Sequence, residues 1–234
     1  MESIKFVKDI WYDVPDGTLN TWGKHFLKAS NFFIRQGNLD ASCAVYSLMM
    51  MLMIHKKVTY SELTSREIAQ NKSDGGYNSL MRLQDMFLHD LEGLYLKDAG
   101  YDFKTLSEDL QSCYNKHAKS DFLMLNKPRS NSKKKQELKG RIIKRIDQGY
   151  PVEIGFTYDG GKEGHAVVAI GYSFHKSYLR LYCLDPANDL RKVAFWNAII
   201  DIYNKDDRSL VYEDYYGTEE GYEPISVDEI LTIE

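Results

Sequence analysis

Hydrophobic residues in the first half of the chain follow helical patterns. Residues 43–54 read CAVYSLMMMLMI, contain no glycine or proline, and are apolar on nearly every face. That composition favours a helix, and a helix without a polar face is expected to lie buried at the centre of a domain. Asp40 or Ser42 is placed to cap its N-terminus. Recurrent apolar positions predict further helices over residues 59–70, 79–93 and 106–113.

The second half of the chain changes from helical to strand-like patterns. Leu138, Ile142 and Ile146 mark one more amphipathic helix, which ends before Gly149. Runs rich in valine, isoleucine and tyrosine then predict strands over 151–157, 165–172 and 178–184, a tight turn at 159–161, and a strand or helix end at 225–233. Helices followed by antiparallel strands are the pattern of an α+β domain, which is the fold class we expect.

The length of 234 residues fits one sizeable domain, 1–234. We divide it into an N-terminal arm, a helical half with an insertion, an exposed linker and a sheet half, at residues 1–35, 36–125, 126–137 and 138–234. The linker contains Pro128, several serines and asparagines, and the lysine run 133–135, which is expected to be solvated. The acidic, tyrosine-rich residues 212–222 are expected to form a surface loop that covers a cleft or meets a partner.

Composition and charge exclude several classes of protein. Hydrophobic residues make up 43% and charged residues 27%, so the chain is not disordered along its whole length. A net charge of −4 lacks the basic excess of a nucleic-acid binder. The sequence has no apolar run long enough for a membrane span and begins without an export signal. We therefore expect no nucleic-acid partner, no membrane span, and a location in the cytoplasm or outside the cell by a route without a conventional signal peptide.

Three residues combine into a candidate for thiol chemistry. Cys43 stands at the head of the apolar helix, where free backbone N–H groups stabilise a thiolate. His165 begins a predicted strand, and Asp185 ends the next one. A hairpin would bring His165 beside Asp185, which could then orient the imidazole ring. Each residue alone is more often structural, but nucleophile, base and orienter in this order are what attack on a carbonyl requires.

The remaining candidates are a second possible orienter, the other histidines and the other two cysteines. Asn188, three residues beyond Asp185, competes with it for the role of orienter. The other histidines show no metal-ligand spacing, so we expect no metal, and no motif indicates a cofactor. Cys113 and Cys183 are expected to pack, since three cysteines without a CxxC pair indicate neither a disulfide scaffold nor a zinc site.

The chain resembles the papain-like cysteine peptidase superfamily, and most of all the bacteriocin-processing peptidases of double-glycine leaders, the C39-like peptidases. The matching stretches are DASCAVYSLMM at 40–50, VTYSEL at 58–63, IIKRIDQGYPV at 142–152, GHAVVAIGY at 164–172 and LDP at 184–186. The resemblance implies a papain-like fold, in which a buried helix carrying the nucleophile packs on an antiparallel sheet. It also implies the roles of nucleophile for Cys43, base for His165 and orienter for Asp185.

Two departures from the family pattern concern the oxyanion donor and the chain length. The family places a glutamine six residues before the cysteine, whereas Gln36 precedes Cys43 by seven. Gln36 is the expected oxyanion donor if the loop absorbs one residue, and Asn38 competes with it. The 122 residues from Cys43 to His165 exceed those of a minimal leader peptidase, and we assign the excess to an insertion within 93–137.

The expected function is hydrolysis of a peptide bond through a Cys43–His165–Asp185 triad and an acyl-enzyme, with a protein or peptide as substrate. Two alternatives stay open from the sequence. The same residues would serve an amidase, deamidase or transglutaminase that acts on a glutamine side chain, and a degenerate relative would be an inactive binding module. The oligomeric state is left open.

Overall fold

The computed structural model describes residues 3–13, 17–22, 29–36, 42–71, 78–89, 100–125, 132–158, 163–190, 194–203 and 214–234. Asn38, Asp40 and the predicted turn at 159–161 lie outside the described residues. The helices lie between residues 43 and 147 and the longest strands follow from residue 152, as the hydrophobic patterns predict, but four strands occupy the expected N-terminal arm and a fifth, Ser120–Met124, lies within the helical half. The helices α1 to α6 are Cys43–Ile54, Tyr60–Thr64, Arg66–Asn71, Ser79–Gln84, Phe103–Tyr114 and Ser132–Asp147, and a π-helical turn, Asp85–His89, extends α4.

Eleven strands are described, and all their pairings are antiparallel. Strands β1 to β11 are Lys5–Phe6, Ile10–Asp13, Thr18–Trp22, Ala29–Asn31, Ser120–Met124, Val152–Tyr158, Glu163–Phe174, Tyr178–Leu184, Ala198–Tyr203, Asp214–Gly217 and Tyr222–Ile233. In the main sheet β6 to β11 pair in the order β7-β6-β11-β10-β9-β8, and β8 pairs with β7 again, so the six strands close into a barrel. β1 joins this sheet at β7 and β5 joins it at β11, while β2, β3 and β4 form a separate sheet.

Helix α1 is the centre of the helical half. Its residues from Val45 to Ile54 are almost all buried, in agreement with its uniformly apolar sequence. It packs on β6 and β7 of the barrel. Within that interface the Ser47 hydroxyl donates to the carbonyl of Ala166, at 3.3 Å. The start of α1 is thereby fixed against the start of β7.

The helix predicted over residues 59–70 is divided into α2 and α3. Thr59 caps α2 in a capping box with Glu62, whose carboxylate accepts from the Thr59 N–H at 2.6 Å. At the other end, the Gln84 side-chain amide donates to the carbonyls of Glu62 and Ser65, at 2.8 and 3.2 Å. A side chain from α4 thus binds carbonyls at the end of α2, and the Ser65 hydroxyl accepts from the Ile68 N–H at 3.2 Å, which caps the start of α3.

Two sequence expectations differ from the structure in the second half. Helix α6 begins at Ser132, so residues 132–137 are helical although the sequence assigned them to an exposed linker. Lys135 is buried in an ion pair with Asp214, at 2.7 Å, whereas its lysine run was expected to be solvated. Within 212–222, expected to be a surface loop, lie β10 and the first residue of β11, because antiparallel pairing with β9 and β11 holds β10 in the barrel. No helix within the described ranges is long and apolar enough to cross a membrane.

Candidate active site

The N-terminus of α1 presents Cys43, the first residue of the helix. Ser42 occupies the N-cap position, but its side chain makes no capping bond, so the expected cap is not formed by this residue. The Cys43 side chain is half-buried and lines a cleft of about 1000 Å³ between the helical half and the barrel. The Cys43 side chain therefore lies at the partially positive end of α1.

Strands β7 and β8 bring His165 and Asp185 together. Their antiparallel register pairs Val168 with Leu184, so the start of β7 lies beside the end of β8. His165 Nε2 and Asp185 Oδ1 are 2.9 Å apart. The sequence predicted this contact from the hairpin, and the register explains it.

His165 also interacts with Cys43, whose side chain and charge act on the pKa of the imidazole. Because Nε2 is directed to Asp185, Nδ1 is the ring nitrogen available to the sulfur. Burial lowers the pKa of His165, but the bonds and negative charges of Asp185 and Cys43 outweigh it and raise that pKa to about 10. The arrangement therefore holds an imidazolium at neutral pH, in contact with a sulfur on one side and a carboxylate on the other.

Asp185 is fully buried and accepts hydrogen bonds on both oxygens. Besides His165, Oδ1 accepts from the N–H of Ala187 at 2.8 Å, and Oδ2 accepts from the Asn188 amide at 2.6 Å and from the Tyr216 hydroxyl. Burial raises the pKa of Asp185, but the bond and charge of His165 and the bond from Tyr216 bring it below its usual value. The carboxylate is thus ionised and held in one orientation.

Asn197 fixes the backbone of this turn. Its Oδ1 accepts from the Asp185 N–H at 2.7 Å, and its Nδ2 donates to the carbonyls of Asp185 and Asn188, both at 2.9 Å. Asn188 in turn donates its side-chain amide to Asp185, and the bond to the imidazole is made by Asp185. Asn188 therefore lies behind the carboxylate, where it supports Asp185.

Aromatic rings surround the imidazole of His165 on the barrel side. The Phe156 ring meets it edge-on with centroids 5.5 Å apart, the Tyr216 ring does so at 6.0 Å, and the Tyr158 ring lies at 6.4 Å. These rings limit the positions that the imidazole can take and exclude water from its inner face.

Gln36 lies in the same cleft as Cys43. Its backbone N–H donates to the carbonyl of Pro186 at 2.9 Å, which ties the segment before α1 to the turn that carries Asp185. The extra residue between Gln36 and Cys43 thus leaves Gln36 at the cleft. Asn38, the competing donor, lies outside the described residues.

Tyr216 and Asn197 are the site residues that sequence reasoning missed. Tyr216 was included in an expected surface loop, and its signal was only the unusual density of tyrosines in that stretch.

The two remaining thiols, Cys113 and Cys183, differ from Cys43 in their surroundings. Burial raises the pKa of Cys113 to about 11 and that of Cys183 well above its usual value, so neither is a reactive thiolate. Within the described part of the chain no His, Cys, Asp or Glu cluster is arranged to hold a metal.

Comparison with known proteins gives a family match. A family model described as Peptidase_C39 like family matches residues 30–211, a span that includes Gln36, Cys43, His165 and Asp185. The chain is also similar to a crystal structure of UfSP from C. elegans, with a TM-score of 0.42 and 12% identity. That match covers 100% of this chain and 34% of the other, so the chain spans about a third of that structure's length. No curated protein matches the sequence.

Proposed function

Because the chain belongs to the Peptidase_C39 like family, we propose that it is a cysteine peptidase whose catalytic triad is Cys43, His165 and Asp185. The observation that supports this most strongly is the placement of all three side chains on one cleft, with His165 Nε2 2.9 Å from Asp185 Oδ1 and Cys43 near enough to the imidazole to raise its pKa. Nucleophile, base and orienter thus stand in the order that thiol catalysis requires. The substrate is a protein or peptide.

The Cys43 thiolate attacks the carbonyl carbon of the scissile bond and forms a C–S bond, while the carbonyl oxygen takes the negative charge. The His165 imidazolium then gives its Nδ1 proton to the departing amine, and the C–N bond breaks. In the second half, His165 takes a proton from water, the hydroxide attacks the thioester, and the thiolate leaves with the acid as product. Asp185 holds the ring and stabilises its charged form throughout.

Gln36 and the backbone N–H of Cys43 are the proposed donors to the oxyanion. Both residues line the cleft, and the bond of the Gln36 backbone to Pro186 holds this segment beside the triad. Charge that develops on the carbonyl oxygen is stabilised by donors that are already oriented, so loss of the Gln36 amide should slow acylation by about 100-fold. The variants Gln36→Ala and Gln36→Glu measure this contribution.

Mass spectrometry of products tests the proposed reaction. A pool of neutral and charged peptides is incubated with wild-type protein and with Cys43→Ala, and new termini are counted. Internal cleavage by the wild-type protein alone supports a peptidase. Conversion of glutamine to glutamate, or its coupling to an amine, without cleavage would instead assign the triad to a deamidase or transglutaminase.

Alkylation of Cys43 separates an active site from an inactive binding module. With iodoacetamide near neutral pH, Cys43 should be modified before Cys113 and Cys183, since both of these are buried thiols with raised pKa. His165→Ala should slow labelling of Cys43, because the imidazolium no longer stabilises the thiolate. Labelling of Cys43 no faster than that of the buried thiols would indicate a degenerate relative.

A further inference from the structure

The cleft that contains Cys43 is lined by carboxylates and, among the described residues, by no lysine or arginine. Asp185 belongs to the triad, and its charge is balanced by His165. The other acidic residues lining the cleft are Asp102, Glu163, Glu220, Glu223, Asp228 and Glu229. Since a concave surface focuses the field of its charges, these carboxylates give the cleft a negative potential, which attracts cationic groups.

Glu229 is the acidic residue whose position in this cleft is best fixed. Its carboxylate oxygens accept from the N–H of Phe103, at 3.3 and 3.4 Å, at the N-terminus of α5. The side chain lies across Gly155, where a Cβ would stand 2.7 Å from Glu229 Cγ, so only glycine leaves it this room. The pairing of β11 with β6 also shifts register between Val227 and Glu229, an irregularity of the kind that re-aims side chains beside functional sites.

A second carboxyl is buried on β6, two residues before Gly155. Glu153 is fully buried on β6, and neither of its oxygens has a hydrogen-bond partner within the described structure. Side chains alternate along a strand, so Glu153 is directed to the same face of β6 as Gly155, the face that Glu229 covers. Burial raises the pKa of Glu153 well above its usual value, and the charges of Cys43 and Glu229 raise it further. A buried carboxyl without a partner is costly, and a cation would reduce that cost.

We propose that Glu229, with Glu153 buried on the adjacent strand, forms a subsite that binds an ammonium or guanidinium group of the substrate beside the scissile bond. The subsite rests on the proposed function only in that Cys43 would carry out the cleavage of the bound peptide. The substrate class is then a peptide with a cationic group near the cleaved bond. That group is either a lysine or arginine side chain or a free terminal amine, and both present the same charged donor to a carboxylate.

The protonation of Glu229 gives the subsite a measurable signature. Burial raises the pKa of Glu229 to about 7, and the charges of Asp102 and Asp228 add to this, while the bond from Phe103 opposes it. Since a bound cation favours the carboxylate, binding of a lysine or arginine side chain should release a proton and tighten as the pH rises through about 7. A terminal amine, whose own pKa is about 8, loses its charge over the same range and should show a weaker rise. A neutral peptide should show no such dependence.

Binding is measured on Cys43→Ala, so that the result does not depend on turnover. Fluorescein-labelled octapeptide pools with neutral random positions carry one lysine or one Nε-acetyl-lysine, with a free or an acetylated N-terminus. Fluorescence anisotropy gives Kd for each pool at pH 6 and pH 8. We expect a cationic pool to bind at least about tenfold more tightly than its acetylated counterpart, because a charge-assisted hydrogen bond in a partly buried site contributes that much.

The variant Glu229→Gln keeps the side-chain shape and an acceptor for Phe103, and it should remove this difference between pools. Glu108→Gln, an exposed glutamate on α5 outside the cleft, is the matched control and should leave the difference intact. Gly155→Ala provides an independent test, since its Cβ would displace Glu229. If Glu229→Gln does not fold, Gly155→Ala decides the outcome.

The pools also identify the source of the cation. A gap between lysine and acetyl-lysine pools assigns a side chain, and a gap between free and acetylated termini assigns the terminal amine. Equal affinities for all pools, or a gap that persists in Glu229→Gln and Gly155→Ala, would overturn the subsite. Charge-dependent binding together with an absence of peptide cleavage by wild-type protein would leave the subsite supported and the proposed peptidase activity rejected.

Discussion

The hydroxyl of Tyr216 donates a hydrogen bond to Oδ2 of Asp185, a residue 31 positions earlier in the chain. Tyr216 lies on β10, which is separated by β9 alone from β8, the strand that ends just before Asp185. The same tyrosine packs its ring against Phe156, with centroids 4.9 Å apart, and meets the imidazole of His165 edge-on. A strand from a distant part of the sequence therefore completes the hydrogen bonding of the proposed orienter.

Substitution of Tyr216 by phenylalanine should lower turnover without loss of the fold. The ring contacts with Phe156 and His165 remain, but Asp185 loses one donor, and its pKa rises because that bond lowers it. Because this bond holds the carboxylate that orients His165, a loss of about tenfold in kcat is expected, which corresponds to about 1.4 kcal/mol in activation free energy. Steady-state kinetics and thermal melting measure the two effects.

Tyr215→Phe is the control for this variant, because Tyr215 is on the same strand and stacks on Tyr222, away from Asp185. It should leave kcat unchanged. An equal loss of activity in both variants, or a fall in Tm in step with the activity of Tyr216→Phe, would show that Tyr216 acts only through stability.

Substitution of Asp185 should slow acylation more than substitution of Asn188. Asp185→Asn removes the charge beside His165 and should lower single-turnover acylation by about 100-fold or more. Asn188→Ala removes only one donor to Asp185 and should cost less than about tenfold. The two variants are compared on folded protein at equal concentration. A folded but inactive Asn188→Ala protein beside an active Asp185→Asn protein would transfer the orienting role to Asn188.

The buried ion pair of Lys135 with Asp214 should be essential for stability. Both side chains are at most 6% exposed, and Asp214 begins β10, the strand that carries Tyr216. Lys135→Met leaves a buried carboxylate unpaired, which costs about 3–5 kcal/mol in the free energy of unfolding. The loss should be smaller at acidic pH, because burial raises the pKa of Asp214 and removal of Lys135 raises it further, so the carboxyl can take up a proton.

Lys133→Met is the matched control in the same lysine run, since Lys133 is exposed. Its effect should stay within about 0.5 kcal/mol. Urea unfolding at pH 5 and pH 8 measures both variants. Equal stabilities of Lys133→Met and Lys135→Met would refute the ion pair's role.

Sequence reasoning predicted those features that depend on local pattern. The apolar run of α1 and the strands around His165 and Asp185 have a clear periodicity, and their order along the chain predicted the contact between these two residues. The features it missed depend on distant partners. Lys135 pairs with a residue 79 positions away, so nothing in the lysine run shows that one member is buried. The Gln84 amide likewise binds the last carbonyls of α2 from outside the local sequence, whereas Ser65, which accepts from the Ile68 N–H at the start of α3, is a local signal for the break that the prediction missed.

His165 and His55 are both half-buried but have pKa values shifted in opposite directions, which allows a direct test of the Cys43–His165 pair. The Asp185 and Cys43 contacts raise the pKa of His165 to about 10, whereas burial and the nearby charges of Arg145 and Lys57 lower the pKa of His55 to about 3. In an NMR titration of labelled histidine, His165 should therefore stay protonated and His55 should stay neutral between pH 5 and pH 8. Activity should decline as the pH rises through about 10, where His165 loses the proton that the leaving amine needs.

Replacement of Cys43 by serine separates the two contributions to the His165 pKa. A serine hydroxyl stays neutral, so the charge of the thiolate is lost while the bond to Asp185 remains, and the His165 pKa should fall without reaching that of His55.

The same pKa makes the free energy of unfolding depend on pH. In the folded protein the pKa of His165 is raised above the usual value of 6.5, so its protonated form stabilises the fold. The contribution of His165 is fully present below about pH 6.5 and is lost as the pH rises through about 10, and in Cys43→Ser the loss should be smaller and complete at lower pH. Urea unfolding across this range measures it. A His165 titration that is identical in wild-type protein and Cys43→Ser would show that the sulfur and the imidazole do not form an ion pair, and the proposed nucleophile would lose its physical basis.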